Sequence, residues 1–170
     1  MNYSELALKT LSPNYYPNSV DNFVLQLELE NAIHASEVLD ICKKSMFYGK
    51  PNTDHTVYTQ VTDKSGTVSP DLIHGIIGVL TEAGELAQAL LKSLENGQPI
   101  DLVNVGEECG DVLWYIELLA KATGVSRTQM EVANIKKLSK RYPNEEFNAF
   151  LAENRDLKIE RESLENDLTV

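Results

Sequence analysis

The stretch LTEAGELAQALL, residues 80–91, decides the fold of this chain. Its apolar side chains recur at intervals of three and four residues, which is the period of an α-helix packed along one face. Yet Glu82 and Glu85 lie in this run and carry the only formal charges from Leu72 to Leu91. Burial of an unpaired carboxylate is so unfavourable that we expect a nearby cation to offset these two acids. A divalent metal ion meets that requirement.

A second stretch, VGEECGDVLWYIELLA at residues 105–120, repeats the arrangement. Glu108 and Asp111 are three residues apart, as in the first pair, so each pair shares one face of its helix. If the two helices are antiparallel neighbours, the pairs can face each other. Carboxylate oxygens suit hard cations, so the four acids predict Mg²⁺ or Mn²⁺, with two or more ions per site.

Two glycines next to these acids point to close helix packing. Gly84 and Gly110 each precede one of the acids, and glycine inside a helix costs about 1 kcal/mol relative to alanine. We therefore expect the helices to approach each other closely at both positions. The alternative for the acids, that they lie on solvated helix faces, is disfavoured by the apolar residues around both pairs.

Composition limits the compartment and the partners. The chain has 170 residues, which suits one ordinary core, and a formal net charge of -11. This acidity repels nucleic-acid backbones and anionic lipid, so we expect no nucleic acid and no membrane as partner. Cys42 and Cys109 lie in apolar or helical stretches, which favours reduced thiols and predicts a cytoplasmic location. No segment resembles an export signal or a membrane span.

Caps and helix breakers predict an all-α, four-helix-bundle-like domain. The predicted helices span residues 21–47, 69–97, 101–122 and 126–141, with a polar loop and a short strand at 57–61 after the first. Residues 1–68 would form an N-terminal helix and loop of the same domain, residues 69–143 the helical core with the acids, and residues 144–170 a charged, partly helical tail. The second helix is apolar on more than one side, which predicts a homodimer or homotetramer.

The two acidic pairs, followed by NIKKLSKRYP at residues 134–143, resemble the MazG-type all-α nucleoside triphosphate pyrophosphohydrolases, whose signature is ExxE, a spacer and ExxD. The likeness covers about residues 72–143, and the tail NRDLKIERESLE at 154–165 is similar to phage and bacterial members. It implies hydrolysis of a (deoxy)nucleoside triphosphate to the monophosphate and pyrophosphate by an enzyme that forms dimers or tetramers. The metal ligands and catalytic residues implied by the resemblance are Glu82, Glu85, Glu108 and Asp111.

A basic stripe on the fourth predicted helix is an exception in so acidic a chain. It contains Asn134, Lys137 and Arg141, with Lys136 and Lys140 beside it. Lysine and arginine can hold phosphates by charge-assisted hydrogen bonds, so we expect the first three residues to bind the substrate. The alternative is that these cations only complement the helix dipole.

Two residues of the second predicted helix are further candidates for substrate binding. Lys92 lies two turns beyond Glu85 and is a phosphate candidate. His74 lies two turns before Glu82 and either contacts the base or ribose or is a satisfied structural histidine.

The nature of the substrate stays open at this point. We favour a purine deoxynucleotide over a pyrimidine deoxynucleotide such as dUTP or dCTP. From a different class, a non-catalytic helical oligomer or regulatory binding protein, whose acids only bind ions, is the alternative. The spacing of the acids does not identify the general base.

Overall fold

The computed structural model of the protein describes residues 2–50 and 68–168. Within these ranges all regular structure is helical, so the predicted all-α class is confirmed, while the strand expected at 57–61 lies outside the described residues. The helices are α1 (Tyr3–Leu8), α2 (Asn22–Tyr48), α3 (Pro70–Asn96), α4 (Leu102–Thr123), α5 (Arg127–Arg141), α6 (Ala149–Glu153) and α7 (Leu157–Leu168). None of the described helices is both long enough and apolar enough to cross a membrane.

The four longest helices begin and end within one residue of the bounds predicted from the sequence. Ser69 caps α3, Pro70 occupies its first turn, and Gly97 ends it with a left-handed φ of 61°. Helix α1 was not expected from the sequence. A capping box between Asn2 and Glu5 starts it, but its six residues are too few to show a helical period.

The chain divides into two compact units. The first, which we call the three-helix unit, spans residues 18–123 and contains α2, α3 and α4. The second, which we call the terminal unit, contains α1, α5, α6 and α7 and comprises the described residues of 1–17 and 124–170. Helix α3 packs against both α2 and α4, and α5 packs against α7 and α1. The boundaries predicted above, 1–68, 69–143 and 144–170, stay a prediction.

Glycines let the helices of the three-helix unit approach one another. A methyl group added at Gly78 would overlap the Tyr115 ring of α4, and one at Gly84 would overlap the side chain of Ser36 on α2. The close approach expected at Gly84 is therefore confirmed. The same expectation is wrong for Gly110, because no atom of the described residues lies within 4 Å of such a methyl group there.

Candidate active site

Antiparallel packing of α3 and α4 brings acids of both helices together. One carboxylate oxygen from each of Glu82, Glu108 and Asp111 lies within 4.8 Å of the other two. Glu82 and Glu108 are buried, with 7% and 5% of their surface exposed, whereas Asp111 is exposed. The structure therefore gathers three of the four predicted acids into one group that opens to solvent at Asp111. We call these three residues the acid group.

Glu85, the fourth acid, is exposed one turn further along α3 and lies outside this closest group. Partial burial of its carboxyl, and then the charges of Glu108 and Glu82, raise its pKa above the ordinary value. The acid group therefore acts electrostatically on Glu85. Glu85 also lines an open groove of about 520 Å³ between α2 and α3, together with Asp40 and Gln88.

The carboxyl of Glu108 is held in place from its own helix. Nδ2 of Asn104 donates a 2.6 Å hydrogen bond to its Oε1. Burial raises the pKa of Glu108, the hydrogen bond from Asn104 lowers it, and the charges of neighbouring acids raise it again. A cation among these oxygens would relieve their mutual repulsion, and oxygen-only ligands are those that Mg²⁺ and Mn²⁺ prefer. The residues present thus fit the predicted ion.

A buried lysine on α2 reaches the same group. Nζ of Lys43 donates hydrogen bonds to Oγ1 of Thr81 at 2.8 Å and to Oε1 of Glu82 at 3.4 Å. It also lies 3.2 Å from Oδ1 of Asp40 and 5.2 Å from the centre of the Tyr115 ring. Burial lowers the pKa of Lys43, but hydrogen bonds with Tyr115 and Asp40 outweigh this and raise it overall. The ammonium group is therefore charged at neutral pH.

Lys43 was not predicted from the sequence, although a signal was present. Ile33, Ser36 and Lys43 lie on one face of α2, and all three are buried. A lysine in phase with a buried helix face requires an anionic partner, because an unpaired charge is not tolerated there. The cation that offsets Glu82 is therefore provided in part by the chain itself.

Residues 75–145 match the family model of the MazG nucleotide pyrophosphohydrolase domain. The chain carries a MazG-like domain. This match supports nucleotide pyrophosphohydrolase activity, and the resemblance noted in the sequence is confirmed. The match contains both acidic pairs and the basic stripe, while His74 lies one residue before it. No curated protein and no solved structure matches the chain.

An aromatic cluster lies beside the buried acids of the MazG-like domain. Phe47 stacks on His74 with ring centres 4.2 Å apart, and Tyr115 and Trp114 meet His74 edge-on at 5.7 Å and 6.3 Å. Nε2 of His74 is buried and has no hydrogen-bond partner among the described residues. Burial, helped by the charge of Lys43, lowers the pKa of His74, so its ring is neutral at pH 7. His74 is thus not a fully satisfied histidine, and its contact with a base or ribose stays a prediction.

Lys92 lines an open cavity of about 730 Å³ where α3 of the MazG-like domain ends and α4 begins. Asn104, which holds Glu108, lines the same cavity. Lys92 therefore shares a cavity with a residue that contacts the acid group, and its binding of phosphate stays a prediction.

The basic stripe of the MazG-like domain lies on α5, in the terminal unit. Nε and Nη2 of Arg141 donate to the two carboxylate oxygens of Glu160 on α7, each at 2.8 Å. Arg155 donates to the same carboxylate at 2.6 Å. Hydrogen bonds from Arg141 and Arg155 lower the pKa of Glu160 to about 2. The guanidinium that was expected to bind phosphate is thus engaged by a carboxylate of the chain.

The other residues of the stripe differ in their contacts. Asn134 accepts a hydrogen bond from the hydroxyl of Tyr3 at 3.5 Å, and Lys136 forms an ion pair with Asp167 at 2.5 Å. Lys137 forms no ion pair with any residue that the structure describes. Of the predicted phosphate-binding cations of α5, Lys137 is therefore the one whose charge is available.

Proposed function

We propose that the chain uses Mg²⁺ or Mn²⁺ to hydrolyse a deoxynucleoside triphosphate between its α and β phosphates, releasing the monophosphate and pyrophosphate. The gathering of Glu82, Glu108 and Asp111 within 4.8 Å carries this proposal. These three acids, with Glu85 beside them, would hold the ions, and four carboxylates support two or more of them. When bound, the ions supply the positive charge that neutralises the polyphosphate.

Glu85 is our proposed general base. It is the exposed acid whose carboxylate lies outside the closest group, so it can face solvent. Glu85 would take a proton from the attacking water as the water oxygen bonds to the α phosphorus. The bond from that phosphorus to the bridging oxygen then breaks, and pyrophosphate leaves.

We propose a purine as the base of the substrate. Tyr48 also meets His74 edge-on, with ring centres 6.0 Å apart, and Trp114 and Tyr48 are more than half exposed, at 58% and 52%. The two fused rings of a purine offer these side chains a larger stacking area than a pyrimidine does. His74, Lys92, Asn134, Lys137 and Arg141 remain our proposed substrate-binding residues, with Lys137 foremost among the cations.

We also propose that the protein forms a homodimer or homotetramer. Large apolar side chains are about half exposed on both helices that carry the acids, namely Ile76, Leu80 and Leu113. These side chains of α3 and α4 form exposed apolar surface that a second copy of the chain can cover.

A substrate panel tests the reaction. The protein is mixed with Mn²⁺ and dATP, dGTP, dCTP, dTTP or dUTP in turn, and the products are separated by anion exchange. We expect monophosphate and pyrophosphate in equal amounts, with the purine nucleotides turned over fastest. Diphosphate and phosphate, or no product at all, would contradict the proposed reaction, and a preference for dCTP or dUTP would assign the pyrimidine alternative.

Glutamine variants test the site. Glu82→Gln or Glu108→Gln should lower kcat/KM by more than about 100-fold, because each removes a charged ligand from the buried part of the group. Glu107→Gln is the matched control, since Glu107 is the exposed neighbour of Glu108 and lies outside the acid group. It should retain activity within about twofold. Equal activities of the Glu108 and Glu107 variants would refute the assignment.

A further inference from the structure

Both buried acids of the active site have one carboxylate oxygen held by a neighbour. For Glu108 the donor is Asn104, which binds Oε1. For Glu82 the donor is Lys43, 3.4 Å from its Oε1. The Thr81 hydroxyl lies 3.2 Å from the same oxygen and 2.9 Å from the carbonyl oxygen of Gly78, and its single hydrogen is shared between these two acceptors. Among the residues that the structure describes, no hydrogen bond reaches Oε2 of Glu82. One oxygen of each buried acid is thus fixed by the protein and the other is left available.

The contacts of Lys43 are those of an internal, fixed cation. Its side chain is only 6% exposed, so it cannot reach out to a phosphate in solvent. Its ammonium group has three hydrogens and lies near acceptors on Thr81, Glu82 and Asp40, and it also hydrogen-bonds with Tyr115. The Thr81 hydroxyl, itself almost fully buried, accepts from Lys43 and directs its own hydrogen towards the carbonyl oxygen of Gly78 and Oε1 of Glu82. Because these hydrogen bonds reach its carboxylate, the network holds the side chain of Glu82 in one orientation.

We propose that Lys43 is a positioning residue for Glu82. Together with Thr81 it fixes Oε1, so that Oε2 is the oxygen offered to the divalent ion. This inference rests on the metal-dependent function proposed above. Ligands held from behind in this manner bind metal more tightly, because less freedom is lost when the ion arrives.

Lys43 can also act on ion affinity in the opposite direction. A fixed positive charge near an ion site repels the ion, so removal of the lysine would tighten binding if repulsion dominated. Loss of orientation would weaken binding instead. The two effects have opposite signs, and a direct measurement of ion binding therefore separates them.

The experiment measures Mn²⁺ binding to the full chain without nucleotide, by electron paramagnetic resonance of the free ion. Lys43→Met removes the ammonium group and keeps most of the aliphatic stem. We expect its Mn²⁺ affinity to fall by about 10-fold and its kcat to fall more than its KM rises. Lys44→Met is the matched control, because Lys44 also pairs with Asp40 but is 44% exposed and has no contact with Glu82. It should leave Mn²⁺ affinity within about twofold of the wild type.

A second pair of variants, at Thr81, changes no charge. Its result does not depend on whether Lys43→Met folds. Thr81→Val removes the hydroxyl that links Lys43 to Glu82, whereas Thr81→Ser keeps it. We expect weaker Mn²⁺ binding for Thr81→Val and near wild-type binding for Thr81→Ser. Circular dichroism checks the fold of each variant, and the Thr81 pair decides the matter if Lys43→Met does not fold.

The possible results are distinct. If the wild type itself binds no Mn²⁺, the proposed metal dependence fails and this inference fails with it. If the wild type binds and Lys43→Met binds more tightly, Lys43 is a competing cation and the positioning role is overturned. If Lys43→Met and Thr81→Val both bind as the wild type does, the network is only structural and the proposed function stands without it.

Discussion

Glu160 is a single carboxylate whose charge helps to hold the terminal unit together. Its side chain is 5% exposed and accepts hydrogen bonds from both Arg141 and Arg155. Its pKa is lowered from 4.5 to about 2 in the folded chain. A lowered pKa stabilises the fold above the unfolded value of 4.5, and this contribution is lost as the pH falls towards 2. At pH 7 it amounts to about 3 kcal/mol.

We therefore expect Glu160→Gln to lower the free energy of unfolding at pH 7 by about 3 kcal/mol. The difference between the variant and the wild type should shrink by about half at pH 3, since the wild-type carboxylate then approaches its folded pKa. Urea unfolding followed by circular dichroism at pH 7, 5 and 3 measures this difference in the free energy of unfolding. Glu162→Gln, on the same helix but in a distant 3.9 Å pair with Lys158, is the control and should change little. A difference that does not vary with pH would contradict the role of the charge.

Individual site residues could be predicted from the sequence only where the pattern along one helix was sufficient. The acids at positions 82, 85, 108 and 111 were found because their spacing of three places them on one face of an apolar helix. The pairs of Lys43 with Glu82 and of Arg141 with Glu160 were not predicted, because the two residues of each pair lie on different helices. Such pairs depend on tertiary packing, which spacing along one helix does not contain.

At the level of helices, Gly84 decides how closely α2 and α3 can pack. A methyl group at this position would overlap the side chain of Ser36, so Gly84→Ala forces the two helices apart. Overpacking typically costs 1–3 kcal/mol, which exceeds the gain of about 1 kcal/mol from replacing glycine in a helix. We expect Gly84→Ala to lower the melting temperature. Thermal unfolding followed by circular dichroism measures this effect.

The control for this prediction lies on α4. Gly110 has no atom of the described residues within 4 Å of an added methyl group, so Gly110→Ala should raise the stability by up to about 1 kcal/mol. Adding Ser36→Gly to Gly84→Ala should recover part of the loss, because the overlapping side chain is removed. If both alanine variants were stabilised equally, close packing at Gly84 would be ruled out as the reason for its glycine.

Helix boundaries were more predictable than helix partners. Caps such as Ser69 and Ser126 act through hydrogen bonds within three residues, so the sequence alone locates them. Which helices pack together depends instead on how the faces of helices that are far apart in sequence fit against each other. Helix α5 packs against α7 and α1, and neither contact could be predicted. Helix α1 is too short to detect from the sequence, and α7 was predicted only as part of a charged, partly helical tail.

At the scale of the whole molecule, exposed apolar surface favours the association of two copies, whereas the net charge opposes it. Leu80 of α3 is 48% exposed, and Ile76, which is 51% exposed, lies one turn before it on the same face. A second copy can bury this surface, but each copy carries a formal charge of -11 and repels the other. Salt screens that repulsion and leaves apolar association intact. The mass of the wild type in light scattering should therefore be at least twice 19.0 kDa and should not fall as salt rises.

The variant Leu80→Glu tests this surface. It places a charge where apolar contact is expected, and we expect the mass to fall towards that of a monomer of 19.0 kDa. Leu8→Glu is the matched control, because Leu8 is 64% exposed on the short helix α1, which belongs to the terminal unit and carries none of the four acids. It should leave the mass unchanged. A mass that falls with rising salt in the wild type would indicate an association held by ion pairs instead, because screening weakens those contacts and has no such effect on apolar ones.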